Sequence, residues 1–328
     1  MADHAVDDFD GDIFIYRGGR APQHVTHVLI DRSIDEIEDG AFFDCEHLLQ
    51  VETHDDLRKI GKYAFFECRS LRRINLKSAV EIDEHAFYKC ENLESVEFDD
   101  KLLETIGRNA FSHCTSLKAP LKLPSTTTVG SSAFLDCTRM IDVELSERLE
   151  RIGSNTFCDC ERLQRIAIPL KRDLFTFSSL YHKYTQFDGC VQLTTVDLVG
   201  QAHTQTVAYL HTESWRTEMN AEINRINQVL PNTPAEDKTD EIRQWMDSVI
   251  DKLDHYKSEH YRYVKEGITL LELALWKAKL GEKEEIYEKG VSKKTKIDAD
   301  ADIARKDKRM TCGADIVINN VLPFLQLE

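Results

Sequence analysis

One pattern recurs about every 23 residues between positions 37 and 168 of the sequence. Each copy has an apolar residue, then Ala-Phe or Thr-Phe, then Cys, then Leu or Met, then a short apolar stretch. Six copies are in register and a looser seventh follows. Their phenylalanine and cysteine pairs are Phe42 and Cys45, Phe65 and Cys68, Phe87 and Cys90, Phe111 and Cys114, Phe134 and Cys137, Phe157 and Cys160, and Phe187 and Cys190. A period of this length is typical of solenoids, in which each coil packs on its neighbours.

The order of residues within one copy predicts two short strands and a short helical turn. Leu71, Ile74 and Leu76 end in the period of two that marks a strand with one buried face. The Ala-Phe-x-x-Cys-x-x-Leu segment spaces its apolar residues by three and four, which places them on one face of a helical turn. A single copy cannot bury this set. The sequence therefore predicts a repeat solenoid, α/β to mostly β, whose phenylalanines, cysteines and leucines stack in rungs.

Three local departures lead to further expectations. Glycine follows the apolar residue in several copies, as in Ile60-Gly61, and suits a bend or a left-handed backbone. Pro120 stands where other copies have Val or Ile, so we expect a slipped or broken strand there and near Pro124. An insertion at residues 169–185 widens the next cysteine spacing, and the unit that closes near residue 198 is the expected last coil.

The apolar period changes from 2 to 3.6 after residue 215, which predicts a helical C-terminal region. Gly267 is an expected kink or break in it, and the pattern leaves open whether its helices pack on the solenoid. The predicted organisation is a leader or cap (1–24), a solenoid of about seven coils (25–200), a helical domain (201–281), a flexible charged linker (282–310) and a docking segment (311–328).

Charge and cysteine usage limit the function classes. A formal net charge of −16 argues against general binding to nucleic acid or anionic membranes. Nothing at the start resembles a secretory signal, so a cytoplasmic location is expected; the basic clusters at 293–296 and 305–309 make a nuclear one possible. The nine cysteines are odd in number and seven occupy one repeat position, too far apart for a zinc site. They are interpreted as buried thiols, with no metal and no cofactor.

The segments Ile-Gly-Lys-Tyr-Ala-Phe-Phe-Glu-Cys-Arg-Ser-Leu at 60–71 and Ile-Gly-Arg-Asn-Ala-Phe-Ser-His-Cys-Thr-Ser-Leu at 106–117 closely resemble the BspA-like class of leucine-rich repeats. The resemblance covers residues 25–200 and implies a leucine-rich-repeat-like fold. Segments at 213–216, 272–280 and 312–318 look like the tail found on intracellular members of this class in diatoms. The resemblance implies protein interaction and supplies no catalytic residues.

The preferred function is a non-catalytic scaffold that binds proteins through the outward face of its sheet. Strand parity points Ala167 outward, together with a set that forms the predicted binding face: Gln50, Glu52, Arg73, Asn75, Ser95, Glu97, Asp142, Glu144, Arg165, Thr195 and Asp197. Acids outnumber arginines in this set, so the expected partner has a basic or polar surface. The alternative is an assembly element that self-associates through the C-terminal helices, because residues 270–280 carry more apolar side chains than one stripe needs. The sequence carries neither a phosphate-binding loop nor a nucleophile elbow, so an enzyme is not expected.

Overall fold

The computed structural model of the protein describes residues 13–99, 102–180, 182–200 and 212–288. The chain divides into two compact units, Met1–Asp251 and Lys252–Glu328. In the described part of the first unit, short strands recur twice per coil. They are β1 (Phe14–Tyr16), β2 (His27–Ile30), β3 (Glu36–Ile37), β4 (Gln50–Glu52), β5 (Lys59–Ile60), β6 (Arg73–Leu76), β7 (Glu81–Ile82), β8 (Ser95–Phe98), β9 (Thr105–Ile106), β10 (Leu121–Lys122), β11 (Thr128–Val129), β12 (Asp142–Glu144), β13 (Arg151–Ile152), β14 (Arg165–Pro169) and β15 (Thr195–Val199).

These strands form three parallel sheets. One has the order β1-β2-β4-β6-β8, the second β10-β12-β14-β15, and the third β13-β11-β9-β7-β5-β3. Equivalent residues of successive coils lie side by side, as where Ile74 pairs with Val51 on one side and with Val96 on the other. The predicted solenoid with two strands per coil is confirmed.

The core is a column of stacked rings. The seven repeat phenylalanines are fully buried, with successive centroids 5.0, 5.0, 5.0, 5.4, 5.6 and 5.9 Å apart. Tyr16 continues the column at the N-terminal end, 5.0 Å from Phe42. Burying a side chain of this kind contributes roughly 1.5–3 kcal/mol, so the column stabilises each coil only through its neighbours.

The predicted helical turn of each coil is a run of hydrogen-bonded turns with two residues in the left-handed region. In one coil these are Tyr63 and Glu67, both with a φ of 56°. Their N–H groups donate to carbonyls of the next coil, at Glu84 (3.0 Å) and Tyr88 (2.8 Å). A helix would direct these donors along its own backbone. The same arrangement recurs at His85, Lys89, Asn109, His113, Ser132 and Asp136.

The glycines after the repeat isoleucines do not have a left-handed backbone, so that one of the two expected alternatives is wrong. Glycine is required at these positions because the backbone of the preceding coil lies very close. A Cβ placed on Gly107 would lie 2.6 Å from the backbone carbon of Asp83, and one on Gly153 would overlap the backbone of Ser131. These coils therefore stack too tightly for a side chain at this position.

The expected strand break at Pro120 is confirmed. The first sheet ends at β8 and the second begins at β10, and these two described strands do not pair with each other. In the register of the other copies, Pro120 would pair with Val143. Leu121 pairs with Val143 instead, so the strand is slipped by one residue. Proline lacks the N–H that would join the ladder, which accounts for the break.

The insertion at residues 169–185 continues the third sheet beyond β13 through a single parallel bridge between Ile152 and Phe175. Ile152 donates its N–H to the Leu174 carbonyl (2.7 Å) and accepts from Thr176 (3.0 Å). Leu174 and Phe175 are buried, so the inserted segment covers one edge of the core.

The helices are α1 (Thr212–Val229) and α2 (Lys238–Glu288), with 3-10 turns at Leu230–Asn232 and Ala235–Asp237 between them. Gly267 does not interrupt α2, because a lone glycine costs an exposed helix only about 1 kcal/mol. The helix also continues past residue 282, where the sequence predicted a linker. The rest of that linker and the docking segment 311–328 lie outside the described residues. No described helix is long and apolar enough to cross a membrane.

The first unit includes the chain from α1 to Asp251, and side chains of these helices close the last coil. Asn227 Oδ1 accepts from the N–H of Val196 (2.8 Å), and Thr239 Oγ1 accepts from that of Phe187 (2.9 Å). Lys238 Nζ donates to two carbonyls of the last coil. In the preceding coil the equivalent N–H, on Phe157, donates to the next coil at Gln186 (2.9 Å). The helices thus take the place of a further coil.

Candidate protein-binding face

The outward side chains of the first sheet align in two rows, because the parallel register places equivalent residues side by side. The first row is His27, Gln50, Arg73 and Ser95. The second row contains Leu29, Glu52, Asn75 and Glu97, with Leu29 opposite Glu52 and Asn75 opposite Glu97. Alternate residues of these strands, such as Val51 and Ile74, are buried in the core.

A groove of about 700 Å³ runs over these two rows. It brings together six residues of the predicted binding face: Gln50, Glu52, Arg73, Asn75, Ser95 and Glu97. Sequence reasoning missed His27, Thr53 and Arg72, which also line it. The alternation of Val25 to Ile30 carried the signal for His27, since its neighbour Val28 is an inward residue of the same strand.

The other five predicted residues lie on the second sheet, beyond the break at Pro120. Asp142 pairs with Arg165 and Arg165 with Thr195, while Glu144 and Asp197 flank Ala167. Ala167 was predicted to point outward, but it is only 1% exposed. The predicted face is therefore two patches on two sheets.

Arg165 is neutralised within the second patch. Its NH1 lies 2.9 Å from Asp142 Oδ1 and its Nε lies 2.6 Å from Asp197 Oδ2. Both acids come from the neighbouring coils. Asp142 and Asp197 therefore attract a basic partner less strongly than unpaired carboxylates would.

Arg73 occupies the equivalent place in the first patch, two residues after the buried leucine of its coil. Its row neighbours are Gln50 and Ser95, and no described carboxylate lies within ion-pair distance of its guanidinium. Glu97 pairs with Lys77 instead, at 2.8 Å. Arg73 acts at longer range on Glu94, whose pKa is lowered chiefly by the hydrogen bond from Lys118.

The cysteine column offers no reactive site. Burial raises the pKa of the Cys90 and Cys137 thiols well above the ordinary value. The half-buried Cys158 also has a pKa raised by burial, to about 12. Thiols of this kind stay protonated, so they are poor nucleophiles and poor metal ligands. Within the described ranges no group of three or more His, Cys, Asp or Glu residues is placed to hold a metal ion.

Solved structures with leucine-rich repeats are similar to this chain at low identity. A leucine-rich repeat protein from Bacteroides ovatus is 22% identical, with 55% of this chain and 64% of that chain covered and a TM-score of 0.36. The T. pallidum leucine-rich repeat protein is 23% identical, over 64% of this chain and 86% of that one, with a TM-score of 0.37. A leucine-rich cell surface protein from Faecalibacterium prausnitzii is 20% identical, over 54% and 80%, with a TM-score of 0.22. The chain spans less than two thirds of the Bacteroides ovatus protein, and no curated protein matches it.

The repeats themselves match a family. The description "BspA type Leucine rich repeat region (6 copies)" applies to residues 21–124 and 80–206. Together these ranges cover more than half of the sequence, and they contain the strands from β2 to β15. The chain belongs to the BspA-type leucine-rich repeat family.

Proposed function

We propose that this chain is a non-catalytic scaffold that binds a protein on the outward face of its first two sheets. The observation that carries the proposal is the groove over β2, β4, β6 and β8, which gathers polar side chains from four successive strands of one sheet. A protein partner with basic or polar contact groups fits the excess of acids, which comprises Glu52, Glu97, Asp142, Glu144 and Asp197 against Arg73 and Arg165.

Affinity capture with the full chain tests this proposal. Reversing Glu97, Asp142 and Glu144 together to Lys should remove the captured partner, because a like-charge contact opposes a basic surface. The matched control reverses Glu104, Glu150 and Glu161, which are exposed and lie outside the predicted face. Capture of the same proteins by both variants and by the unmodified chain would sink the assignment of the face.

A second candidate function is self-assembly through α2, and a specific observation favours it. In the second unit this helix exposes large apolar side chains, with Leu270 67% and Trp276 68% accessible. Others are Tyr261, Tyr263, Leu271, Leu273 and Leu275. Exposed apolar patches often mark interaction sites.

Light scattering on the full chain over a range of concentrations tests self-assembly. Replacing Leu270 and Leu273 with Lys should lower the average mass, because a charge at an apolar contact must be desolvated. Replacing Ser258 and Thr269 with Lys adds the same two charges at exposed polar positions of α2 and is the control. A monomeric mass for the unmodified chain at every concentration would rule this function out.

A further inference from the structure

Two arginines at one repeat position differ in the ion pairs that they form. Arg73 and Arg165 each follow the buried leucine of their coil by two residues, on β6 and β14. Arg165 is held by Asp142 and Asp197. In place of Asp142, the coil before Arg73 supplies Gln50, whose amide cannot neutralise a guanidinium. In place of Asp197, the next coil supplies Glu97, which pairs with Lys77 instead of Arg73.

Arg73 is exposed and forms no ion pair in the part of the chain that the structure describes, and Glu94 acts on its charge only at longer range. Arg73 lies in the groove together with Arg72, and neither forms a described ion pair. A guanidinium presents a planar set of N–H donors that matches a carboxylate. The pair that Arg165 makes inside the protein shows that a carboxylate reaches an arginine at this position.

The second row of the same groove has the opposite charge. Among the described residues, Glu52 accepts only a long hydrogen bond from Gln50 (3.5 Å), and Glu97 forms an ion pair with Lys77. The two rows are two residues apart along each strand, which is about 6.6 Å. An extended peptide has the same spacing between alternate side chains, so an acidic and a basic residue at i and i+2 match the two rows.

We propose that the groove binds an extended peptide segment of the partner, with an acidic side chain on Arg73 and a basic side chain two residues away on Glu52 and Glu97. This inference rests on the proposed scaffold function and specifies what its first patch recognises. Ionic strength should weaken the contact, because both charged contacts are exposed to solvent.

Selection of peptides from a phage-displayed random library on the immobilised full chain tests the proposal. The selected peptides should be enriched in Asp or Glu two residues from Lys or Arg. Their dissociation constants, measured by fluorescence anisotropy, should rise about tenfold or more with Arg73→Ala. Gln50→Asp should have the same effect with the arginine retained, since it places a carboxylate beside Arg73 as Asp142 lies beside Arg165. Arg151→Ala, an exposed arginine on the third sheet, is the matched control and should change nothing.

A cycle of substitutions separates the contact from general charge effects. Changing the peptide's acidic residue to its amide should weaken binding to the unmodified chain about tenfold and leave binding to the Arg73→Ala variant unchanged. Replacement of that residue by phosphoserine should not strengthen binding, and a large gain would assign the groove to phosphate instead. Failure to select any peptide, absence of acidic enrichment, or equal losses with Arg151→Ala would overturn the proposal. If face-dependent capture of a protein persists in those cases, the scaffold function stands and only the peptide specificity is wrong.

Discussion

Each buried cysteine of the repeat donates its thiol hydrogen to the coil before it. Cys68 Sγ lies 3.1 Å from the Phe42 carbonyl, and Cys90 Sγ lies 3.2 Å from that of Phe65. The Phe42 oxygen also accepts the N–H of Cys45 (3.2 Å), so both of its lone pairs are used. The column of thiols therefore joins neighbouring coils as well as filling the core. The sequence predicted the filling of the core but not these hydrogen bonds.

Cys90→Ala should destabilise the first unit by about 2 kcal/mol, because it removes this donor and leaves a small void. Cys158→Ala should cost less than about 0.5 kcal/mol, since that thiol is half-buried and bonds only to its neighbour Asp159. Chemical denaturation in the presence of a reductant compares the two. Equal losses would contradict a special role for the column.

The column also predicts a loss of stability at alkaline pH. Burial raises the pKa of all seven buried thiols, that of Cys45 to about 11, from an ordinary value of 9.0. Unfolded thiols ionise above that value while folded ones stay protonated, so their stabilising effect is complete below pH 9.0 and falls above it. Each contributes up to about 1.4 kcal/mol per pH unit. Lys238, with a pKa lowered by burial, has the opposite effect but is a single group. Free energies of unfolding measured across this range should decrease; constant values would be inconsistent with buried thiols.

At the scale of the elements, the distance between coils is set by positions without side chains. Gly153→Ala should destabilise the solenoid by about 3 kcal/mol or more, because its Cβ would overlap the Ser131 backbone. Gly267→Ala is the control, since nothing lies within 4 Å of its Cβ, and it should add helix stability of up to about 1 kcal/mol. Thermal unfolding followed by circular dichroism measures both. A harmless Gly153→Ala would mean that the coils are not in contact there.

Some elements were predictable from the sequence and others were not. The break at Pro120 was predictable because proline has no N–H for the ladder, whatever surrounds it. The left-handed residues of the turns were not, since Tyr63, Glu67 and Lys89 are types that rarely adopt that backbone. They do so because their N–H groups bond to the next coil, and a contact between coils is not visible in the local sequence.

At the scale of the whole molecule, the end of the solenoid is closed by side chains from the helices. Thr239→Val should remove the acceptor for the Phe187 N–H and cost about 1–2 kcal/mol. Hydrogen exchange should then be faster at Phe187 than in the coils before it. Thr233→Val, which removes an exposed hydroxyl bonded to the Val229 carbonyl, is the control. Unchanged protection at Phe187 would show that the helices do not stabilise the last coil.

Parity in the strands was enough to place the eleven residues of the predicted face, because a period of two decides which side chains are not in the core. It failed at Ala167, which is small and buried despite its position. It also could not distinguish Arg73 from Arg165, since that difference depends on whether the preceding coil supplies an acid and on the pairing of Glu97 with Lys77. The groove itself is formed by four successive strands together.

Carboxyl labelling of the full chain, alone and with its captured partner, tests the scaffold function most directly. The account predicts that the partner protects Glu52 and Glu97 in the groove, together with Glu144 on the second sheet. The exposed Glu104, Glu150 and Glu161 should be labelled equally in both states. Protection confined to Glu266 and Glu272 on α2, with the groove carboxylates labelled as in the free chain, would contradict it.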